Sequence, residues 1–252
     1  MDHPEIAIVT GAGRGLGQAT ALALAENGYR VVVATRSAAS ARAVVSRIEE
    51  AGGEALPLHL DIGDPRSIDS ATTTLLAAVA AKWPGSPLAV LVNNAGIGRF
   101  APLGEVRAAE VDDTFGVNVR GPFLLIQALA PHLAEGGRVV NVSSSLSRHV
   151  SPATAVYAAS KAAVEALSRS LALELGRRGV RINTIAPGPT ATDFNGGAMR
   201  DDAELRAGLS QQTALGRVGE PAEIADAIVA LVAPGMRWVT GERLEVSGGV
   251  LL

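Results

Sequence analysis

Ile6-Ala-Ile-Val-Thr10-Gly-Ala-Gly-Arg-Gly-Leu-Gly17-Gln-Ala-Thr-Ala21 passes from a β-branched run, through four glycines at alternate positions, into an alanine-rich stretch. That order predicts a strand, a tight turn and a helix in immediate succession. Glycine suits such a turn because a side chain would hold the backbone away from a pyrophosphate, whose charge the amides at a helix N-terminus take up. The glycines fall at 11, 13, 15 and 17, so the spacing is T-G-x-x-x-G-x-G and not the general G-x-G-x-x-G. Alone, the turn equally fits a glycine-rich corner without a ligand. Its place after the first strand of a β-α-β unit favours the phosphate reading.

Outward from this turn the same alternation continues. Short apolar runs at Ile6–Thr10, Arg30–Thr35, Ala55–Leu60, Leu88–Asn93, Arg138–Ser143, Val180–Ile185 and Arg243–Val246 read as strands. Between them, apolar residues three and four apart predict helices over 15–27, 38–51, 65–82, 108–134, 155–178 and 221–233. Runs such as Val31-Val-Val-Ala are apolar without alternation, which suits parallel strands covered on both faces. Gly28, Gly52-Gly53, Gly136-Gly137 and Gly179 mark helix-to-strand junctions. The order β-α-β-α gives an α/β, doubly wound sheet flanked by helices, in one domain over 1–252. Pro187–Gly219 interrupts the pattern and is too long for an ordinary loop; within it, 189–212 reads as a substrate-binding loop or lid.

Composition narrows the partners. Lys+Arg number 22 against 25 Asp+Glu, a formal net charge of −3 with no block of like charges, so no nucleic acid or anionic membrane footprint is expected. The chain has no cysteine, which excludes a disulfide scaffold, a thiolate metal site and a cysteine nucleophile. His3, His59, His132 and His149 lack ligand spacing, so no metal is expected. The N-terminus carries neither a basic segment nor a long apolar one, and a cytoplasmic protein with a small-molecule partner is the expectation.

Candidate site residues cluster where strands end. After the second strand the chain reads Ala34-Thr-Arg36-Ser, with no carboxylate to take ribose hydroxyls; Arg36, with Arg14 from the glycine turn, fits a 2′-phosphate instead, or is a solvated loop residue. Asp61-Ile62 and Asn93-Asn94-Ala95-Gly96 follow the third and fourth strands, as ligand contacts or as turn residues. The fifth strand runs into Ser143-Ser144-Ser145, and Tyr157 and Lys161 stand four apart on one helix face. Bringing a phenol from about 10 to about 7 takes roughly 4 kcal/mol. An ammonium about 4 Å away at an effective dielectric of about 20 supplies a term of that size, before desolvation opposes it.

Thr10–Gly17, Asn93–Gly96, Ser144, Tyr157–Lys161, Pro187-Gly188, Gly216–Ala225, Val239–Glu242 and Val246–Gly249, in this order and spacing, closely resemble the short-chain dehydrogenase/reductase family in its form of about 250 residues, from residue 4 to 252. The overall sequence is similar to the 3-oxoacyl-thioester reductase type. The resemblance implies a Rossmann fold with a seven-stranded, mainly parallel sheet. It also implies a catalytic set in which Tyr157 exchanges a proton with the substrate oxygen, Ser144 holds that oxygen, Lys161 lowers the tyrosine pKa and bonds a ribose, and Asn118 anchors a relay water. Alone, a mid-helix asparagine would bond its own backbone. For NADP(H) the implied contacts are Gly11, Gly13, Arg14, Gly15, Leu16 and Gly17 on the phosphates, with Arg36 at the adenosine end. Asp61 and Ile62 would take the adenine, and Asn93, Ala95, Gly96, Pro187, Gly188, Thr190 and Thr192 complete the site beside Tyr157 and Lys161. Ser147 stands where many relatives carry glycine, so the Ser145–Val150 loop departs from the family pattern.

The implied function is hydride transfer between NADP(H) and a carbonyl or secondary alcohol, with an acyl thioester one candidate and no metal involved. Sugar-nucleotide epimerases would need a longer C-terminal domain and a different glycine spacing. A catalytically silent dinucleotide sensor would show a broken catalytic set, whereas all four residues are present. His149, Val150, Ile97, Gly98, Arg99 and Phe100 are expected to shape the substrate pocket, with His149 a polar rim residue or one with no role there, and not an acid–base group. Relatives of this length commonly form tetramers through the two long helices, and Ala158, Ala159, Ala162, Ala163 and Ala166 would permit close approach; alternatively they pack only onto the sheet.

Overall fold

The apolar runs become the strands β1 (Ile6–Thr10), β2 (Arg30–Thr35), β3 (Ala55–His59), β4 (Leu88–Asn93), β5 (Leu133–Val142), β6 (Arg181–Pro187) and β7 (Arg243–Val246) in the computed structural model, which describes residues 4–252. Met1, Asp2 and His3, to which part of the N-terminal reading refers, lie outside the described residues. The strands form one sheet in the order β3-β2-β1-β4-β5-β6-β7, and every neighbouring pair is parallel. Strand order reverses between β1 and β4, the place where open α/β sheets bind ligands beyond the carboxyl ends of their strands.

The helices are α1 (Gly15–Glu26), α2 (Ala38–Glu50), α3 (Pro65–Lys82), α4 (Ala108–Phe115), α5 (Gly121–Leu129), α6 (Ala155–Leu175), α7 (Ala198–Asp201), α8 (Ala203–Gln211) and α9 (Pro221–Val232). Because side chains alternate along a strand, β1 feeds two cores. Ile6 and Ile8 join Ile68, Leu75, Leu125, Leu129 and Leu171 from α3, α5 and α6 on one face. Ala7 and Val9 join Leu24, Val44, Ile48, Ile224 and Ile228 from α1, α2 and α9 on the other. All residues of β1 and β4 are buried, as their unbroken apolar runs require. Helix starts carry their own chemistry: the Ser37 hydroxyl accepts from the Ser40 amide, and Asp64 accepts from the Arg66 amide ahead of Pro65.

The helix expected over 108–134 does not form as one piece. A π turn over Gly116–Arg120 separates α4 from α5, and a 3₁₀ turn containing Pro131 ends α5 before Leu133 enters β5. Proline lacks the N–H that would continue the helix, which periodicity alone does not register. Gly136-Gly137 lies inside β5 and not between helix and strand. The pairing steps from Leu88↔Leu133 to Val90↔Arg138, so the intervening residues bulge, with Gly136 at φ 71°. The 187–219 stretch is not structureless; it holds a 3₁₀ turn at Phe194–Gly197, then α7 and α8. No helix among the described residues is long and apolar enough to cross a membrane.

Gly121 shows why small residues recur at the π turn. A Cβ there would stand 2.2 Å from the Ile62 carbonyl oxygen and 2.7 Å from its Cγ1, so α5 rests directly on the end of the β3–α3 connection. Glycine to alanine inside a helix ordinarily gains about 1 kcal/mol. Here overpacking against backbone costs about 1–3 kcal/mol and reverses the sign. Gly121→Ala is expected to lower the thermal midpoint by several degrees in calorimetry. Gly235→Ala, where nothing lies within 4 Å, should leave it unchanged.

Candidate active site

The glycine turn after β1 is fastened to the end of β4 by one hydroxyl. Thr10 Oγ1 accepts from the Asn94 and Ala95 amides, both at 3.0 Å, and Asn94 Nδ2 donates to the Thr10 carbonyl at 2.9 Å. Gly17 has no room for a side chain: its Cβ would stand 2.4 Å from both Asn94 Nδ2 and the Gly11 carbonyl oxygen. Helix α1 therefore starts hard against the turn, with its N-terminal amides facing the cleft.

That cleft has a volume of about 630 Å³ and runs from Arg14, Thr35, Arg36, Ser37 and Ser40 past Asp61, Ile62 and the glycine turn to Ser144, Tyr157 and Lys161. Gly11, Gly13, Gly15, Leu16, Gly17, Ala95, Gly96, Pro187, Gly188, Thr190 and Thr192 line it as well. Asn93 is the exception among the expected contacts. Its side chain ends β4 on the buried side and donates to Asn141 Oδ1 at 2.8 Å, while Asn94 lines the cleft. Alternation along the strand decides this, because adjacent residues face opposite ways. Asp61 lines the cleft while its Oδ1 accepts from the Gly63 amide at 3.0 Å, so its turn role and its place in the cleft coexist.

Tyr157 and Lys161 occupy one face of α6, both buried. Burial pushes the Tyr157 phenol up to about 12, and a hydrogen bond with Ser144 pulls the other way. Burial also pulls Lys161 down to about 8. The direction at Tyr157 is opposite to the one expected from the Tyr–Lys spacing. Lys161 Nζ donates to the Val142 carbonyl at 2.8 Å and lies 5.7 Å from the phenol ring centroid, and burial is the leading cause of the shift at both groups. Asn118 lies in the π turn and bonds outside its own helix: its amide exchanges two 2.9 Å bonds with the backbone of Ile97 and donates to Ser160 Oγ at 3.0 Å. A Cβ on Gly96 would stand 3.3 Å from both Asn118 Oδ1 and Lys161 Nζ, so the absence of a side chain keeps open the space these groups share.

Ile97 and Phe100 line the cleft as expected, joined by Phe194 and Met199 from the interrupting stretch. Phe100 and Phe194 pack their rings 5.4 and 5.8 Å from that of Tyr157. Gly98 does not line the cleft, but its Cβ would stand 2.9 Å from both phenylalanine rings. Arg99, His149 and Val150 do not line it either. His149 turns toward Glu245, 3.9 Å away, and Val150 is exposed, because the Ser145–Ser147 turn directs the chain away from the cleft. Ser40, Phe194 and Met199 carry no sequence motif of their own, whereas Asn94 lies within the Asn93–Gly96 motif. The cap at the start of α2 marks Ser40, and the length of the 187–219 stretch is the signal for the other wall.

The cleft suits a dinucleotide: a side-chain-free turn at a helix N-terminus, two guanidinium groups at one end, and a buried phenol and ammonium at the other. Comparison with known proteins agrees with this reading. A family model described as enoyl-(acyl carrier protein) reductase matches residues 11–251. An uncharacterized oxidoreductase of Methylorubrum extorquens is 41% identical over 98% of this chain and 97% of its own length. The 3-oxoacyl-(acyl-carrier-protein) reductase of Staphylococcus aureus is 34% identical over the whole of both chains. The crystal structure of an angucycline C-6 ketoreductase with bound NADP superposes with a TM-score of 0.93 at 36% identity, covering 99% of this chain and 97% of that one. With this motif order, sheet and site, the chain belongs to the short-chain dehydrogenase/reductase family of oxidoreductases.

Proposed function

We propose that the protein is an NADP(H)-dependent ketoreductase that interconverts a ketone and a secondary alcohol, with 3-oxoacyl thioesters among its candidate substrates. The observation that carries this reading is the buried Tyr157 phenol, which lines one end of the cleft that the glycine turn opens together with Ser144 and Lys161. A bound nicotinamide supplies the hydride. Tyr157 donates the proton to the carbonyl oxygen, and the Ser144 hydroxyl stabilises the charge that develops there. A phenol held well above neutrality is fully protonated at physiological pH, the state that ketone reduction needs. Lys161 remains mostly charged at pH 7 and faces the same space. The Asn118 amide is engaged with Ile97 and Ser160, so anchoring of a relay water falls to its backbone carbonyl. Phe100 and Phe194 give the substrate side an apolar wall that favours ketones with apolar flanks over charged ones. In this reading, 189–212 is the mobile wall of the site.

Tyr157→Phe should abolish turnover, with a loss of at least about 10²-fold, while leaving NADPH affinity within about twofold, because only the hydroxyl is removed. Steady-state kinetics with a ketone panel that includes β-ketoacyl thioesters, together with NADPH fluorescence titration, measures both. Activity within about tenfold of the parent would refute the assignment.

Arg36 and Arg14 line the end of the cleft where no acidic side chain follows β2. Charge-assisted bonds of about 1.5–3 kcal/mol each, reduced by exposure, give NADPH an expected advantage of about ten- to several-hundredfold over NADH in kcat/KM, falling as salt rises. Thr35→Asp combined with Arg36→Ala should lower NADPH efficiency and raise that of NADH. Equal use of both cofactors by the parent at low ionic strength would rule out this role for Arg36.

The assembly we propose is a homotetramer. Ala159, Ala162 and Ala166 are exposed on α6, and Leu173 further along the helix is 85% exposed, while Ala158 and Ala163 are half-buried. The alanines therefore do not pack only onto the sheet. Light scattering at micromolar concentration should give four times the chain mass; a monomer alone would contradict the proposal.

A further inference from the structure

Behind Ser144, on the side away from the cleft, three charged side chains and two hydroxyls form one network. Glu165 lies eight residues after Tyr157 and four after Lys161, on the same face of α6, and its side chain is 8% exposed. Its Oε1 accepts from Ser143 Oγ at 2.7 Å, Ser147 Oγ at 2.5 Å and Arg243 Nε at 2.7 Å. The Arg243 side chain, reaching in from the edge strand β7, is 4% exposed and uses all three of its nitrogens. Nη1 donates to Glu245, and Nη2 donates both to the Ser144 carbonyl at 3.3 Å and to Ser147 Oγ at 3.2 Å. The Ser147 hydroxyl also lies 2.8 Å from the Ser144 carbonyl. Ser147, whose single hydroxyl proton serves either Glu165 Oε1 or the Ser144 carbonyl while its oxygen accepts from Arg243, thus stands between the buried ion pair and the backbone of Ser144.

We propose that Arg243 and Ser147 are positioning residues for Ser144. Together with Glu165 they hold the Ser144 carbonyl from behind and so fix the direction in which its hydroxyl meets the Tyr157 phenol. The guanidinium fork is what permits this, since one planar group reaches a carboxylate and a carbonyl at once. A lysine would keep the charge but not both contacts. A glycine at 147 would remove the bridge without burying a new charge. The inference rests on the ketoreductase reading only where turnover is measured.

The test uses Arg243→Lys and Ser147→Gly, the second guarding against a first that folds poorly. The chain has two tyrosines, so full labelling with 3-fluorotyrosine gives two ¹⁹F resonances, and Tyr157→Phe identifies the one from Tyr157. Ser144→Ala sets the displacement that follows loss of the serine hydroxyl. Both positioning variants should move the Tyr157 resonance in the same direction as Ser144→Ala while leaving that of Tyr29 in place. In turnover, each should lower kcat about 10- to 100-fold with the KM for NADPH within about twofold. In a Ser144→Ala background the further loss should shrink to under about threefold, because the group they orient is gone. A Tyr157 resonance that stays within its linewidth, a shift shared by Tyr29 in both variants, or a kcat penalty undiminished in the Ser144→Ala background would overturn the proposal. A parent enzyme that reduces no ketone with NADPH would refute the ketoreductase reading alone, and the fluorine shifts would still decide the positioning role.

Discussion

Asn141, Val142 and Ser143, at the end of β5, are each tied to α6 by a hydrogen bond. Asn141 Nδ2 donates to Ser168 Oγ at 2.8 Å, Lys161 Nζ to the Val142 carbonyl at 2.8 Å, and Ser143 Oγ to Glu165 Oε1 at 2.7 Å. All of these groups are buried, so each bond lost would leave a dry polar atom at a cost of about 1–3 kcal/mol. Rotating or sliding α6 would break all three together. The helix therefore has one position along the strand, and the distance between Ser144 and Tyr157 follows from it. A second cross-link, the Thr10 hydroxyl on the Asn94 and Ala95 amides, sets the glycine turn relative to β4 in the same way. The two ends of the cleft are thus fixed to one rigid sheet, on which loops alone would not hold them.

The central strands β1, β2 and β4 are legible because their runs are apolar on both faces, and β7 through its short Arg243–Val246 run. β1, β2, β4 and β7 begin and end where the sequence pattern does. The helix at 108–134 was misjudged because periodicity is blind to a π turn, to the proline that ends α5 and to the bulge at Gly136. Resemblance recovered most of the cleft lining, since its glycines, Ala95, Gly96, Tyr157 and Lys161 fall in recognisable spacings. The Asn93 side chain, at the last position of β4, faces the core and bonds Asn141, a facing set by strand alternation. Resemblance put His149 and Val150 at the pocket, where the turn after Ser144 sends the chain elsewhere. Phe194 is far from every motif in sequence and reaches Tyr157 only through the fold of the 187–219 stretch.

At Tyr157 burial is the leading cause of the pKa shift. Residues four apart on a helix are neighbours, and the two side chains do meet. The attraction of one ammonium for one phenolate is opposed by the cost of burying both. When that cost is included, the phenol rises and the ammonium falls. Each group is driven toward neutrality, which for tyrosine is the proton-donating form.

The same accounting bears on Arg243 and Glu165. A buried ion pair rarely stabilises a fold, because desolvation offsets most of the attraction, and an apolar pair of similar volume would often do as well. What an apolar pair could not do is hold a carbonyl and a hydroxyl on the far side. Arg243 and Ser147 touch the Ser144 carbonyl, and Glu165 touches both Arg243 and Ser147. Polar burial at this point therefore selects a single geometry for the Ser144 segment. Tyr157, Lys161 and Glu165 share one helix face, so the side chains that line the cleft and the carboxylate that holds Arg243 and Ser147 are set by the same three polar bonds between α6 and the end of β5.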